Sequence, residues 1–152
     1  MPLVSLQELP PKGALLGLDP GSKAIGVAGS DANRLIATAL ETIVRGKKLA
    51  PSLDRIFAIY DQRQSVGLVL GLPVNMDGTE GPRAQSARSL ALHIQRRRDI
   101  PIALWDERLS SAGAERALLE ADTSRARREE VIDKLAAAWI LQGALDRLHA
   151  TP

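Results

Sequence analysis

The chain has 152 residues, enough for one domain with a sizeable core, and 45% of them are apolar. Its net charge is +2, it has no cysteine, and its four aromatics are Phe57, Tyr60, Trp105 and Trp139. Disulfides, thiolate metal sites and thiol catalysis are excluded, base stacking on aromatics is disfavoured as the main binding mode, and no run approaches a membrane span of about 20 apolar residues.

Residues 1–13 contain prolines and read as an N-terminal tail. The N-terminus lacks a charged-then-apolar signal pattern, so a soluble cytoplasmic protein is expected. The run Ala14-Leu15-Leu16-Gly17-Leu18 ends in Asp19-Pro20-Gly21, a strand entering a turn. Residues 24–30 return as the second strand of a hairpin, and residues 35–44 are β-branched enough for a third. Apolar Leu53, Ile56, Phe57 and Tyr60 show helical spacing within Leu49 to Gln64, with Ser52 available as a cap. Residues 65–72 are almost wholly apolar, as a strand covered on both faces should be. A Gly-, Asp- and Asn-rich loop, Pro73 to Pro82, leads into a helix over 83–97, and a strand over 101–105 follows. Ser110 or Ser111 starts a predicted helix through Glu120, and a last helix covers about 129–148. The order βββαβαβαα predicts an α/β fold with a mixed five-stranded sheet and helices on both faces. Residues 14–149 read as a single domain.

Three acids stand at the ends of these elements. Asp19 closes the first strand, on the opposite face from Leu16 and Leu18. A turn Asp bonding its own backbone is an equally ordinary reading of Asp-Pro-Gly. Trp105-Asp106-Glu107-Arg108 offers two acids that alternation separates. Glu107 lies farther past the strand end and has the longer reach, whereas Asp106 can cap, pair with Arg108 or play an outer role. Asp133 heads an apolar stripe through Ala137, Ile140 and Leu141. Its alternative is a first-turn acid that complements the helix dipole. A lone buried carboxylate is costly, but three that converge suit Mg²⁺ or Mn²⁺, which prefer carboxylate oxygen.

Fifteen of the twenty basic residues are Arg, whose planar fork suits phosphate. Residues 81–98 carry Arg83, Arg88, Arg96, Arg97 and Arg98 and no acid. This is either a solvated helix face or a field for an anionic polymer. The loop before it, together with the next helix N-terminus, can hold a phosphate, although it is no Walker-type loop. Arg125, Arg127 and Arg128, offset by Glu129 and Glu130, read as a flexible basic segment before the last helix. His93 and His149 form no zinc or triad spacing.

The segments LLGLDPGSKAIGVAGSD (15–31), LGLPVNMDGTEGPRAQSAR (70–88), WDERLSSAGAERALLEA (105–121) and IDKLAAAWILQGALD (132–146) resemble the bacterial YqgF family. The resemblance runs from about residue 14 to 148, with four motifs in order. It implies an RNase H-like fold, similar to the RuvC Holliday junction resolvases, and a nuclease tied to 5′-end maturation of pre-16S rRNA. By motif, the family's site acids fall on Asp19, Glu107 and Asp133. They would hold two Mg²⁺ or Mn²⁺ ions roughly 4 Å apart, one generating a nucleophile from water and one stabilising the leaving oxygen. Lys23, Arg83 and Arg88 are candidate phosphate contacts. Where relatives carry a basic stretch before the last helix, Glu129 and Glu130 dilute it here. The expected partner is structured RNA or branched DNA, bound by a monomer or a homodimer. The rival readings are a Holliday junction resolvase and a noncatalytic RNA-binding ribosome-assembly factor.

Overall fold

The computed structural model describes residues 3–21, 23–109 and 125–150, the side chains at 109 and 125–131 excepted. Strands β1 (Ala14–Pro20), β2 (Ala24–Ser30) and β3 (Ala37–Val44) form an antiparallel meander. Helix α1 (Ala50–Gln62) then crosses to β4 (Ser65–Leu72), and α2 (Pro82–Arg97) crosses to β5 (Ile102–Asp106). The last helix, α3, spans Arg125–Ala150. The sheet order is β3-β2-β1-β4-β5, with β4 parallel to both β1 and β5. The expected mixed sheet of five strands is thus the observed one. The predicted helix from Ser110 or Ser111 lies outside the described residues.

Each face of the sheet has its own core. Leu16, Leu18, Leu68 and Leu70 pack against α1 and α2, through Ile56, Phe57, Leu90 and Ile94. Leu15, Ala28, Val69 and Ala103 pack against α3, through Ala137, Ile140, Leu141 and Ala144. The continuous apolar runs of β1 and β4 follow from this double coverage, because alternate side chains meet different helices.

Two expectations change. The segment read as a tail is docked on the β5 edge. Val4 bridges Ala103, its N–H donates to the Ile102 carbonyl at 3.0 Å, and Leu6 and Leu9 are buried beneath α3. Prolines end local pairing but do not prevent a short apolar segment from covering an open sheet edge. The last helix also begins earlier than residue 129. Arg125 already opens it, so the segment read as flexible is helical.

Candidate active site

Asp19 is the penultimate residue of β1 and is 3% exposed, with Oδ1 sealed from solvent. Its face follows from its neighbours. Leu16 and Leu18 face α1 and α2, whereas a Cβ at Gly17 would lie 2.7 Å from Leu141 Cβ of α3. Alternation therefore turns Asp19 to the α3 side.

The residues beside it have no side chains. Across β2, Asp19 is in register with Gly26, where a Cβ would sit 1.8 Å from the carbonyl oxygen of Asp133. On the other side the β1–β4 register pairs Leu18 with Leu70, which sets Gly71 next along from that pair beside Asp19. A Cβ on Gly71 would meet Ile140 Cδ1 at 2.6 Å and Glu107 Oε1 at 2.9 Å. The two glycines admit α3 and the Glu107 carboxylate to the sheet face around Asp19. Gly26 is required here for the approach of a helix rather than of a ligand.

Glu107 opens a short 3-10 turn, Glu107–Leu109, directly after β5, and its Oε1 is closed to solvent. Asp106 is committed elsewhere. Arg108 Nη2 donates to its Oδ2 at 2.7 Å and the Arg108 backbone N–H donates to its Oδ1 at 2.9 Å. The Arg108 guanidinium beside Asp106 holds this carboxyl below its usual range. Arg108 Nη1 also donates to the Met76 carbonyl at 3.4 Å, tying the turn to the β4–α2 loop. Of the alternatives open for this acid pair, Asp106 pairs with Arg108 and Glu107 turns inward.

Asp133 is half-buried on α3, with its backbone over Gly26. It stands eight residues after Arg125, the first residue of α3. The helix-dipole field is confined to the first turn, so the dipole reading of Asp133 falls away.

The three acids thus share one end and one face of the sheet, at the carboxyl ends of β1 and β5. Among the described residues, no three Asp, Glu or His side chains are gathered closely enough to hold one ion. The chemistry of the donors nonetheless fits a hard cation, since all three side chains are carboxylates and the Oδ1 of Asp19 and the Oε1 of Glu107 are both held out of solvent.

The basic candidates are arranged differently. Lys23 is exposed in the β1–β2 turn, and Arg83 is exposed in the first turn of α2. Arg88 is held in a fork by Glu80, Nε–Oε1 2.6 Å and Nη2–Oε2 2.8 Å. Arg97 pairs with Asp54 at 2.7 Å and Arg98 with Asp61 at 2.9 Å. The acids of these pairs lie outside 81–98, so most of the basic field read along α2 is neutralised from elsewhere. The β4–α2 loop is closed on itself as well. Asn75 and Gly78 N–H bond within it at 2.9 Å each, and Asp77 accepts from the Thr79 N–H at 3.0 Å.

A β3-β2-β1-β4-β5 mixed sheet with a long helix over one face is an RNase H-like fold. Two structures of Thermus thermophilus RuvC share the fold. One, in complex with a Holliday junction substrate, matches with TM-score 0.58 at 14% identity over 91% of this chain and 97% of that one. The other matches with TM-score 0.56 at 15% identity over the same shares. A family profile described as "RuvX: Holliday junction resolvase" matches residues 13–147. The chain belongs to this RuvX family, the YqgF family of the motif resemblance. A protein of Ruegeria pomeroyi named "Putative pre-16S rRNA nuclease" is 60% identical over 141 residues, 93% of this chain and 91% of that protein. A Rhodopseudomonas palustris protein of the same name is 55% identical over 149 residues, 97% of this chain and 91% of that protein.

Proposed function

We propose that this chain is a cytoplasmic, divalent-metal-dependent nuclease that hydrolyses a phosphodiester bond in structured RNA, with the 5′ end of pre-16S rRNA as its substrate. The names of the relatives and the RuvX family match support this reading. The observation that carries it is the near-complete burial of Asp19 between two glycines, with Glu107 Oε1 alongside. Burying a carboxylate this deeply is costly unless a cation or donors offset it.

Asp19, Glu107 and Asp133 would hold a pair of Mg²⁺ or Mn²⁺ ions. When bound, such ions polarise the phosphoryl group, lower the pKa of water and stabilise the leaving oxygen. The chain's own part is positional. The sheet register fixes Asp19, the Asp106–Arg108 pair fixes the turn that carries Glu107, and the close seat of α3 on Gly26 fixes Asp133. Lys23 and Arg83, both exposed, would take substrate phosphates. Arg88 would do so only by leaving Glu80. The protein would work as a monomer or as a homodimer.

The test is cleavage of a 5′-extended 16S rRNA fragment with Mn²⁺, by the parent and by Asp19→Asn. Loss of about a hundredfold or more in Asp19→Asn, and loss of parent activity on chelation, are expected. Equal activity in both would remove Asp19 from the chemistry. The family description and the RuvC fold favour a second reading, a junction resolvase. Symmetric cutting of a four-way DNA junction, with the RNA left intact, would establish it instead.

A further inference from the structure

The notable unassigned feature at the site end of the sheet is an open cleft of about 500 Å³ between the end of β3 and the start of α1. Ile43, Gly46, Lys47, Lys48 and Ser52 line it. Gly46 is exposed at its rim, where a Cβ would meet nothing within 4 Å. Ser52, the third residue of α1, is 3% exposed and lines this cleft, and among the described residues its hydroxyl makes no hydrogen bond.

The start of α1 is rich in donors. Leu49, its N-cap, brings no side-chain acceptor, and Pro51 has no N–H. The first helix-type bond is donated by Leu53 to the Leu49 carbonyl at 3.1 Å. The Ser52 N–H therefore lies among the helix's orphan donors, beside its own hydroxyl. Lys47 and Lys48 are exposed beside it, and among the described residues no acid pairs with either. The contrast with Arg88, Arg97 and Arg98 is direct, because their charge is already matched by acids.

We propose that Ser52, the N-terminus of α1, Lys47 and Lys48 form an anchor for one phosphate of the substrate's backbone. The inference deepens the nuclease reading and rests on it for the identity of the substrate. Unmatched positive charge, a buried hydroxyl and helix N–H groups around one open cleft are what a backbone phosphate requires.

The position suits a strand running to Asp19. Val44 is in register with Ala24, and Gly26 with Asp19, so Val44 lies two strands across and two residues along from the acid. Strand spacing and rise put that separation at about 12 Å, or three to four nucleotides of stacked strand. Lys23 and Arg45 lie between. Arg45 N–H donates to the Lys23 carbonyl at 2.9 Å, and its Nη1 donates to the Gly21 carbonyl at 3.0 Å. A strand held in the cleft would pass these two residues and round the sheet end to reach the α3 side.

The experiment measures binding of a labelled single-stranded RNA in EDTA, across a salt series, and then the cleavage rate at saturating RNA with Mn²⁺. The proteins are the parent, Lys47→Gln with Lys48→Gln, Ser52→Ala, and a charge-matched control, Lys12→Gln with Arg96→Gln. The double lysine variant is expected to bind on the order of tenfold more weakly and to lower the salt slope by about 0.7, the value for one phosphate of a single strand, while its saturated cleavage rate is kept. Ser52→Ala is expected to weaken binding about fivefold with the slope unchanged. A lysine variant that matches the control, or a parent that binds no RNA, overturns the anchor. Should the parent bind RNA but cut nothing, the nuclease reading falls, and the anchor still stands or falls on the binding series.

Discussion

At the scale of single residues, two neighbouring acids behave differently although they follow each other in the chain. Asp106 has a private cation, and the first cause of its lowered pKa is the Arg108 side-chain hydrogen bond. A carboxyl depressed in the folded state adds stability above its unfolded pKa of about 3.9, and that stability is lost as pH falls through the folded value. Asp106→Asn is therefore expected to lower the melting temperature at neutral pH. The gap to the parent should narrow as pH drops below about 4. A gap that persists undiminished at the lowest pH would show that the pair is not its source. Glu107→Gln should abolish cleavage with little change in melting temperature. The opposite outcome, stability lost and cleavage kept, would make Glu107 a structural acid.

At the scale of elements, the site depends on how closely α3 lies on the sheet. Gly17 and Gly26 admit the helix, and small Ala136, Ala137 and Ala144 on its buried side complete the fit. Gly26→Ala would drive a methyl into the backbone carbonyl of Asp133, which no rotamer can relieve. The cost should exceed the about 1–3 kcal/mol usual for an overpacked side chain, and cleavage should fall with it. Thermal unfolding alongside the nuclease assay checks both, and an unchanged melting temperature would mean that α3 does not sit where described. Gly71→Ala is milder, because the atoms it meets are the tips of the Ile140 and Glu107 side chains. It should reduce cleavage more than stability.

At the scale of the whole molecule, the chain's first residues complete the α3 face. Arg34, buried and left-handed at φ 59, donates through Nε to the Gly13 carbonyl at 2.7 Å and through Nη2 to the Pro10 carbonyl. Its own carbonyl accepts from His149 Nε2 at 2.6 Å. One arginine thus joins the N-terminal segment, the β2–β3 connection and the end of α3. Deleting residues 1–9 removes buried Leu6 and Leu9, a loss on the order of 3 kcal/mol or about 10 °C in melting temperature. An unshifted transition would return this segment to the status of a loose tail.

Much of this protein was settled by local order in the chain. Apolar runs at 14–18, 65–72 and 101–105 specify strands, the spacing of Leu53, Ile56, Phe57 and Tyr60 specifies α1, and the four motifs identify the family. Periodicity and motif spacing act over a few residues, so they are visible without a fold. Which acid faces inward, and which cations remain available, was decided only in three dimensions. Arg88 and Arg98 are matched by Glu80 and Asp61, eight and thirty-seven residues away, and Gly26 is needed because Asp133 arrives from the far end of the chain. Electrostatic pairing and steric approach depend on distance through space, and spacing along the chain does not contain that distance.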